Sequence, residues 1–368
     1  MKRQERVPMI DVLRGLSCLG ILLYHVRVDL WIGWWRIRSY PDEYSAFAKA
    51  TAWLSVPAPF LGYAILLFFL ISGFCIHYPQ TTGSIPNWKN YFIRRFFRIY
   101  PPYLIALGLT AMITYIAHVQ WADSTWDPER IWRVLTLTQN YPPKPAQLLS
   151  NPSLWTIPLE LEFYLLYPLA FLLFSRLRSP ILWLTCLTLC GCSVWLSYQG
   201  VIWTSFTALF FWPVWLLGTW LAQLYHEGML KKIPLSPVLV VGAVSLAFAL
   251  ASKLHHWQSW LQYFLWTGFY FCLFVFTLRQ SGFLENKNCF RLPLEFLSWL
   301  GRISFSVYLI HFPLFKLMGY LHRSFFGEKP ANFLIPLAYL LLVCVLGWIF
   351  YRTVERPVHL WSKKKVGK

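Results

Sequence analysis

Asp11, Arg14 and His25, with Arg27 near the end, interrupt an otherwise apolar run, PMIDVLRGLSCLGILLYHVRV, at residues 8–28. At about 100° of rotation per residue, the eleven-residue step from Arg14 to His25 returns to nearly the same azimuth, and Asp11 stays on that face. A rise of about 1.5 Å per residue separates Arg14 and His25 by roughly 16 Å, so they fall in opposite halves of a bilayer. Within one helix they cannot touch. An imidazole exchanges a proton near neutral pH, which suits general acid or base work, and a guanidinium orients or neutralises an anion. Charged groups at membrane depth are costly unless they face a protein interior or a wet cavity, so the stripe predicts a polar path through a helix bundle. A plainer role also fits: Arg14 snorkelling to a headgroup and His25 hydrogen-bonded to a neighbouring helix.

Other segments supply complementary groups. In Asn90-Tyr-Phe-Ile-Arg-Arg-Phe-Phe-Arg-Ile-Tyr-Pro-Pro, Arg95 and Arg98 share a helical face. Paired guanidinium forks suit phosphate oxygens, whether of a nucleotide or of an anionic lipid headgroup. The run beginning at Ser153, SLWTIPLELEFYLLYP, carries Pro158, Glu160 and Glu162. Pro158 predicts a kink or unwound turn near Glu160. The two carboxylates lie about 200° apart in azimuth, so they meet different neighbours. Glu160 shares its face with Phe163, Tyr164 and Tyr167 and is the one expected in the cavity, where it orients His25 or pairs with Arg302 or another base. Around Gly301, GRISFSVYLIHFP adds Arg302, Ser306, Tyr308 and His311 to the bundle interior, with Pro313 again perturbing the helix. Residues 131–141, IWRVLTLTQNY, are apolar but too short to span, which predicts a re-entrant or interfacial helix presenting Gln139 and Asn140, or a packing segment. The acid–base and charge-orienting candidates are thus His25, Arg14 and Glu160, and the anion-binding pair is Arg95 and Arg98. Asp11, Asn140, Tyr164, Arg302 and His311 are the candidates for substrate contact.

The elements that must position these residues are membrane helices. Of 368 residues, 57% are hydrophobic and 13% charged, with 21 Trp and 30 Phe, and the mean hydropathy is +0.47. That composition predicts an all-α polytopic membrane protein and leaves no soluble domain of useful size. Apolar runs at about 8–28, 59–78, 99–119, 153–174, 180–199, 202–222, 235–252, 259–278, 297–319 and 332–351 predict about ten transmembrane helices around a polar cavity. A net charge of +18 would suggest nucleic acid in a soluble chain, but here the basic residues sort by loop. With the N-terminus cytoplasmic, twenty Lys and Arg fall in inner segments and nine in outer ones, so both termini are expected inside. No nucleic acid is expected. The N-terminal apolar run lacks a small-residue cleavage site and stays as the first span. The outer segments 29–58 and 120–152, rich in Trp and Pro, predict a structured lid. Eight cysteines lie mostly within apolar runs without metal-ligand spacing; they read as core residues, and no metal is expected.

The motifs together resemble the acyltransferase-3 family of integral membrane acyltransferases, which modify O-antigen, peptidoglycan, exopolysaccharides and some antibiotics. The matching blocks are IDVLRGLSCLGILLYHV, FFLISGF at 68–74, RRFFRIYP at 94–101, LWTIPLELEFYLLYP at 154–168, LGRISFSVYLIHFP at 300–313 and VERP at 354–357. They run in the family's order across nearly the whole chain. Carried over by residue, the family's first-helix Arg and His fall on Arg14 and His25, and its paired arginines on Arg95 and Arg98. Its Ser-Val-Glu falls on Pro158, Leu159 and Glu160, so a hydroxyl usual at that point is missing. The resemblance implies one membrane acyltransferase domain over 1–368, without the appended extracytoplasmic hydrolase-like domain of some relatives. It implies a multi-pass protein of the cell's inner (plasma) membrane that takes acyl-CoA, most often acetyl-CoA, as co-substrate, with no permanently bound cofactor. The acyl group would pass to a hydroxyl of a sugar or glycolipid acceptor of the cell envelope at the extracytoplasmic face. The alternative is a lipid or glycan translocator, in which the same stripe is a transport path without covalent chemistry; the lack of internal repeats weighs against it.

The charge asymmetry makes a direct prediction. Reporter fusions at Lys365 and near Lys231 should both signal cytoplasm, and an extracytoplasmic signal from either would reverse the orientation and the side assigned to Arg95 and Arg98.

Overall fold

Apolar runs of spanning length become helices because lipid offers the backbone no hydrogen-bond partner outside its own ladder. The computed structural model describes residues 7–81, 86–142, 151–176, 180–282 and 288–366, and among them no strand occurs. Ten long helices carry the chain: α1 (Pro8–Leu30), α2 (Ile65–His77), α3 (Trp88–Trp121), α4 (Thr156–Arg176), α5 (Pro180–Tyr198), α6 (Ala208–His226), α7 (Leu235–Leu254), α8 (Ser259–Arg279), α9 (Asn288–Phe326) and α10 (Leu334–Phe350). Among the described residues, nine stretches are long and apolar enough to cross a membrane; α2 counts there within Ala46–Gln80 and α10 within Leu334–Lys365. The fourth expected span is α4, a helix of 21 residues. The protein is therefore an all-α, multi-pass membrane protein.

Several boundaries move, and each move bears on the site. α3 starts at Trp88 and runs 34 residues through Pro101 and Pro102, about 51 Å, so Arg95 and Arg98 ride on the third span itself rather than on a loop before it. α4 begins at Thr156, after a 3-10 turn at Pro152–Trp155. Pro158 therefore lies in the first helical turn, where its missing N–H costs no ladder bond, and the kink expected near Glu160 is not needed. The short helix that follows α3 spans Pro128–Leu135 and stops before Gln139 and Asn140, with Leu137 at φ 57, so the helix expected over 131–141 is corrected to a helix followed by a turn.

The segment between α1 and α2 is ordered as expected, with short helices at Trp34–Ser39 and Ala46–Ala52. It is tied to the loop before α10 by Trp31 Nε1 donating to the Ala331 carbonyl at 3.0 Å and Phe333 N to Thr51 Oγ1 at 3.2 Å. After α3, Asp123 lies 2.7 Å from Lys316 Nζ on α9 and accepts from Thr125 N at 2.6 Å and from the Tyr320 hydroxyl. Burial pushes this carboxyl up, but the bonds from Lys316, Thr125 and Tyr320 outweigh it and hold the group well below the usual carboxylate range. α3 is thereby pinned to α9 at one end of the bundle. Residues 143–150 of the second lid segment lie outside the described residues.

α1 and α9 meet at two glycines. A Cβ on Gly301 would stand 1.8 Å from the Asp11 carbonyl oxygen, and one on Gly15 would stand 1.9 Å from that of Leu297. Only hydrogen fits, so the backbones touch, as small residues permit between membrane helices. Gly319 lies against Asp29 further along, so the two helices run parallel in contact over most of α1. Gly73 on α2 and Gly218 on α6 make a comparable crossing, each with a Cβ position 2.0 Å from a carbonyl oxygen of the other helix.

Adding bulk at the first crossing tests its weight. Gly301→Val should destabilise the protein by about 3 kcal/mol or more, because the partner is backbone and cannot rotate away. A thermal melt in detergent micelles that matches the unsubstituted protein would show that the helices separate without cost.

Candidate functional site

Two cavities lie along α1, one lined by Arg14 and the other by His25. The first, about 90 Å³, is lined by Arg14, Cys75, Arg95, Arg98, Glu160, Tyr164, Ser304 and Tyr308 among others. Arg14 donates from Nη1 to Asp11 Oδ1 at 3.3 Å and from Nη2 to Cys75 Sγ at 3.1 Å. Arg95 lies over the rings of Tyr91 at 5.5 Å and Tyr164 at 5.4 Å, and its buried Nε has no hydrogen-bond partner. Glu160 is the cavity's carboxylate and accepts from the Tyr164 hydroxyl. Three guanidiniums and one carboxylate line the cavity, with Asp11 paired to Arg14 and Glu355 close to Arg14 and Arg98 behind the lining, so the lining itself is positive.

The second cavity, about 550 Å³, is lined by His25 together with Tyr24, Tyr63, Trp155, Phe206, Tyr263, Phe312, Gln262 and Lys253. Here the α1–α9 contact places two imidazoles together: His25 Nδ1 and His311 Nε2 are 2.9 Å apart, and His311 Nδ1 is 2.7 Å from the Tyr308 carbonyl. Carbonyl oxygen only accepts, so His311 carries its proton on Nδ1 and presents a lone pair at Nε2. The His25 Nδ1 must then be the donor, and in the neutral ring that leaves a lone pair on His25 Nε2. This tautomer assignment follows from the hydrogen-bond chain. His311 is fully buried, whereas His25 lines the cavity, so the chain ends at the solvent-facing ring. Edge contacts from Tyr24 at 5.0 Å and Phe312 at 5.1 Å hold the His25 ring.

The cavities share Ile65 and Tyr308 as lining residues. The Tyr308 hydroxyl lies 2.6 Å from Thr156 Oγ1 and donates to the Ser153 carbonyl, joining α9 to the start of α4. One continuous wall of side chains thus runs from the arginines to His25.

The residues expected from sequence divide between these places. Arg14, Arg95, Arg98, Glu160 and Tyr164 converge in the first cavity, with Asp11 buried behind Arg14. His25 lines the second, backed by His311. Glu160 does not orient His25; His311 holds that position, because α9 rather than α4 packs on α1 there. Glu162, on the other face of α4, accepts from Tyr141 at 2.7 Å and from the Ala208 amide at 2.6 Å, at the start of α6. Arg302 is corrected to the surface, where it is exposed and donates to Ser298 Oγ at 3.0 Å. Asn140 is buried, but its side-chain amide donates to the carbonyls of Trp155 at 2.8 Å and Phe206 at 2.7 Å, so it staples backbone and lines neither cavity. Cys75 was expected in the core with the other cysteines; it lines the first cavity instead, and Cys192 is exposed. Sequence reasoning passed over Lys253 except as a loop charge. It also left Glu355 of VERP without a role; its carboxylate accepts from Ser306 Oγ at 2.5 Å across a π-helical turn at Tyr351–Glu355.

The family model described as an acyltransferase domain matches residues 7–352. Acyltransferase MdmB of Streptomyces mycarofaciens is 25% identical over 187 residues, which are 49% of this chain and 43% of that protein. O-acetyltransferase OatA of Staphylococcus aureus strain NCTC 8325 is 23% identical over 392 positions, covering 96% of this chain and 57% of that protein. The chain thus spans about half the length of the curated relatives it matches. No solved structure matches it.

The charge of the first cavity is open to measurement through Cys75. In a protein retaining that cysteine alone, an anionic sulfonate-bearing thiol reagent should react about tenfold faster than a cationic reagent of the same size, since three guanidiniums concentrate anions there. Equal rates would mean that the arginine charges are neutralised by groups outside the cavity.

Proposed function

The chain belongs to the acyltransferase-3 family, and from that membership we propose that it is an acyl-CoA-dependent membrane O-acyltransferase. The donor, acetyl-CoA by the names of the O-acetyltransferase relatives, would enter from the cytoplasm, and the acceptor would be a hydroxyl of a carbohydrate at the extracytoplasmic face. The observation that carries this reading is the pair of cavities that share Ile65 and Tyr308 in their linings, one lined with arginines and the other with His25.

In this reading the Arg95 and Arg98 guanidiniums hold the donor's phosphates, and their planar forks match anionic oxygens. The unpartnered Nε of Arg95 is a donor of the kind such a ligand satisfies. The donor's arm would pass Arg14 along the first cavity and bring the thioester to Tyr308, which also lines the second, and then to His25. As the acceptor oxygen attacks the thioester carbonyl, His25 Nε2 takes the hydroxyl proton. The tetrahedral intermediate collapses, the C–S bond breaks, and the thiolate leaves, recovering that proton as free CoA thiol. His311 keeps the His25 ring oriented through Nδ1 and shares the hydrogen bond while His25 is charged, the part a carboxylate plays in other triads. Arg14 orients the donor, with Asp11 holding its guanidinium in place. Glu160, between Arg95, Arg98 and Tyr164, tempers the positive charge at the donor end.

The test is CoA thiol release by purified protein in liposomes, with donor inside and acceptor outside. His25→Gln should lose about a hundred- to ten-thousand-fold in rate while folding and donor binding hold. Arg95→Lys and Arg98→Lys keep the charge but lose the fork, so they should raise the donor KM with a smaller effect on kcat. A folded His25→Gln protein with a sizeable share of the parent rate would remove His25 as the base. Transport of the acceptor without any CoA release would favour a translocator.

A further inference from the structure

Lys253, in the last turn of α7, is the one lysine that lines the second cavity, and no carboxylate lines it with Lys253. Its ammonium lies 5.8 Å from the Tyr63 ring and makes no ion pair or hydrogen bond with any described residue. Elsewhere along the helix bundle the comparable lysine, Lys316, is satisfied by Asp123 at 2.7 Å and Thr125 at 2.9 Å. The Lys253 side chain is partly buried, and its ammonium brings three donors to the cavity with an aromatic ring beside them and no counter-charge among the lining residues. The wall around it is rigid. Tyr63 stacks on Trp266 at 5.2 Å and 7°, and its hydroxyl is held by Gln262, which in turn donates to the Trp257 carbonyl at 2.6 Å. Tyr24, Tyr263 and Trp155 complete an aromatic lining that offers flat apolar faces to the C–H faces of a sugar ring, with Gln262 and Ser259 as hydrogen-bonding groups.

We propose that this cavity recognises an acceptor sugar bearing an anionic group, phosphate or carboxylate, and that Lys253 is the residue that reads that charge. The proposal rests on the acyltransferase reading above and deepens it by naming the acceptor class. Recognition follows from geometry: the aromatic walls seat the ring, the ammonium of Lys253 takes the anionic oxygens, and a hydroxyl of the same sugar is presented to His25 in the shared cavity. A neutral sugar would leave Lys253 as it stands now, without a counter-charge.

The experiment is isothermal titration of the full-length protein in detergent micelles with glucose, glucuronate and glucose 1-phosphate. An anionic probe should bind about tenfold or more tightly than glucose, the size of one charge-assisted contact. Whichever of the two anions binds better identifies the group as carboxylate or phosphate. Lys253→Gln should bring both anions down to the affinity of glucose, leaving glucose unchanged, and Lys253→Arg should preserve the preference. Glucose binding as tightly as both anions, absence of saturable binding by either anion, or an undiminished preference in Lys253→Gln would each overturn the proposal. CoA release separates this from the parent reading. Release that depends on His25 without any charge preference leaves the acyltransferase and removes the anionic acceptor, whereas a Lys253-dependent preference without release does the reverse.

Discussion

The contact between α1 and α9 at Gly15 and Gly301 is the constraint on which the site depends. Its backbone-to-backbone approach fixes not only distance but register. Gly15 and Gly301 stand at the same separation in residue number as His25 and His311, 286 positions, and the helices are parallel. Two parallel helices that start in contact at the glycines therefore bring the imidazoles into contact ten residues later, close to three turns along. A side chain at either glycine would move the helices apart where they are most tightly seated, and the hydrogen bond three turns away has little tolerance for that. The chemistry at one end is set by packing at the other.

The cost of charge in a low-dielectric interior explains the division into two cavities. Arg14, Arg95 and Arg98 would be prohibitive on a lipid-facing surface, and the bundle gathers them around one carboxylate, two tyrosines and a thiol. Behind that lining Asp11 pairs with Arg14 at 3.3 Å and Glu355 stands close to Arg14 and Arg98, so carboxylates outside the cavity offset part of the charge. At the other end, the hydrogen-bond chain of the histidine pair calls for no charge, and His311 is wholly buried. Tyr308 stands between, with its carbonyl setting the tautomer of His311 and its hydroxyl tying α9 to α4. One residue therefore belongs to the separation of the cavities and to the polarity of the dyad.

Buried polar groups that sequence alone would assign to a ligand turn out to serve the backbone. Asn140 and Gln139 donate to carbonyls at the turn before α4, and Glu162 meets the first amide of α6. Each satisfies a backbone group left open at a helix terminus or irregular turn, a demand as strict in a membrane protein as that of any substrate. Lys253 is the converse case, a loop charge by sequence that closes into an aromatic cavity without an internal partner.

Much was settled by the chain before it folded. Spanning length and hydropathy determine that it is helical and multi-pass, and the 3.6-residue period places Asp11, Arg14 and His25 on one face of α1. The motif order across six blocks identifies the family. These properties are local, or sums of local ones. What the tertiary structure decided is which helices touch. Periodicity says that His25 faces inward, but not that α9 rather than α4 receives it, and so His311 rather than Glu160 became its partner. Arg302 has the same sequence context as its inward-facing neighbours, yet it lies on the outer side of α9, because its azimuth relative to α1 is fixed by the glycine crossing. Pro158 carries a helix-breaking signal that vanishes once the helix begins two residues before it. Register, neighbour and helix start are each set by contacts between segments far apart in the chain, and no period within a single segment contains them.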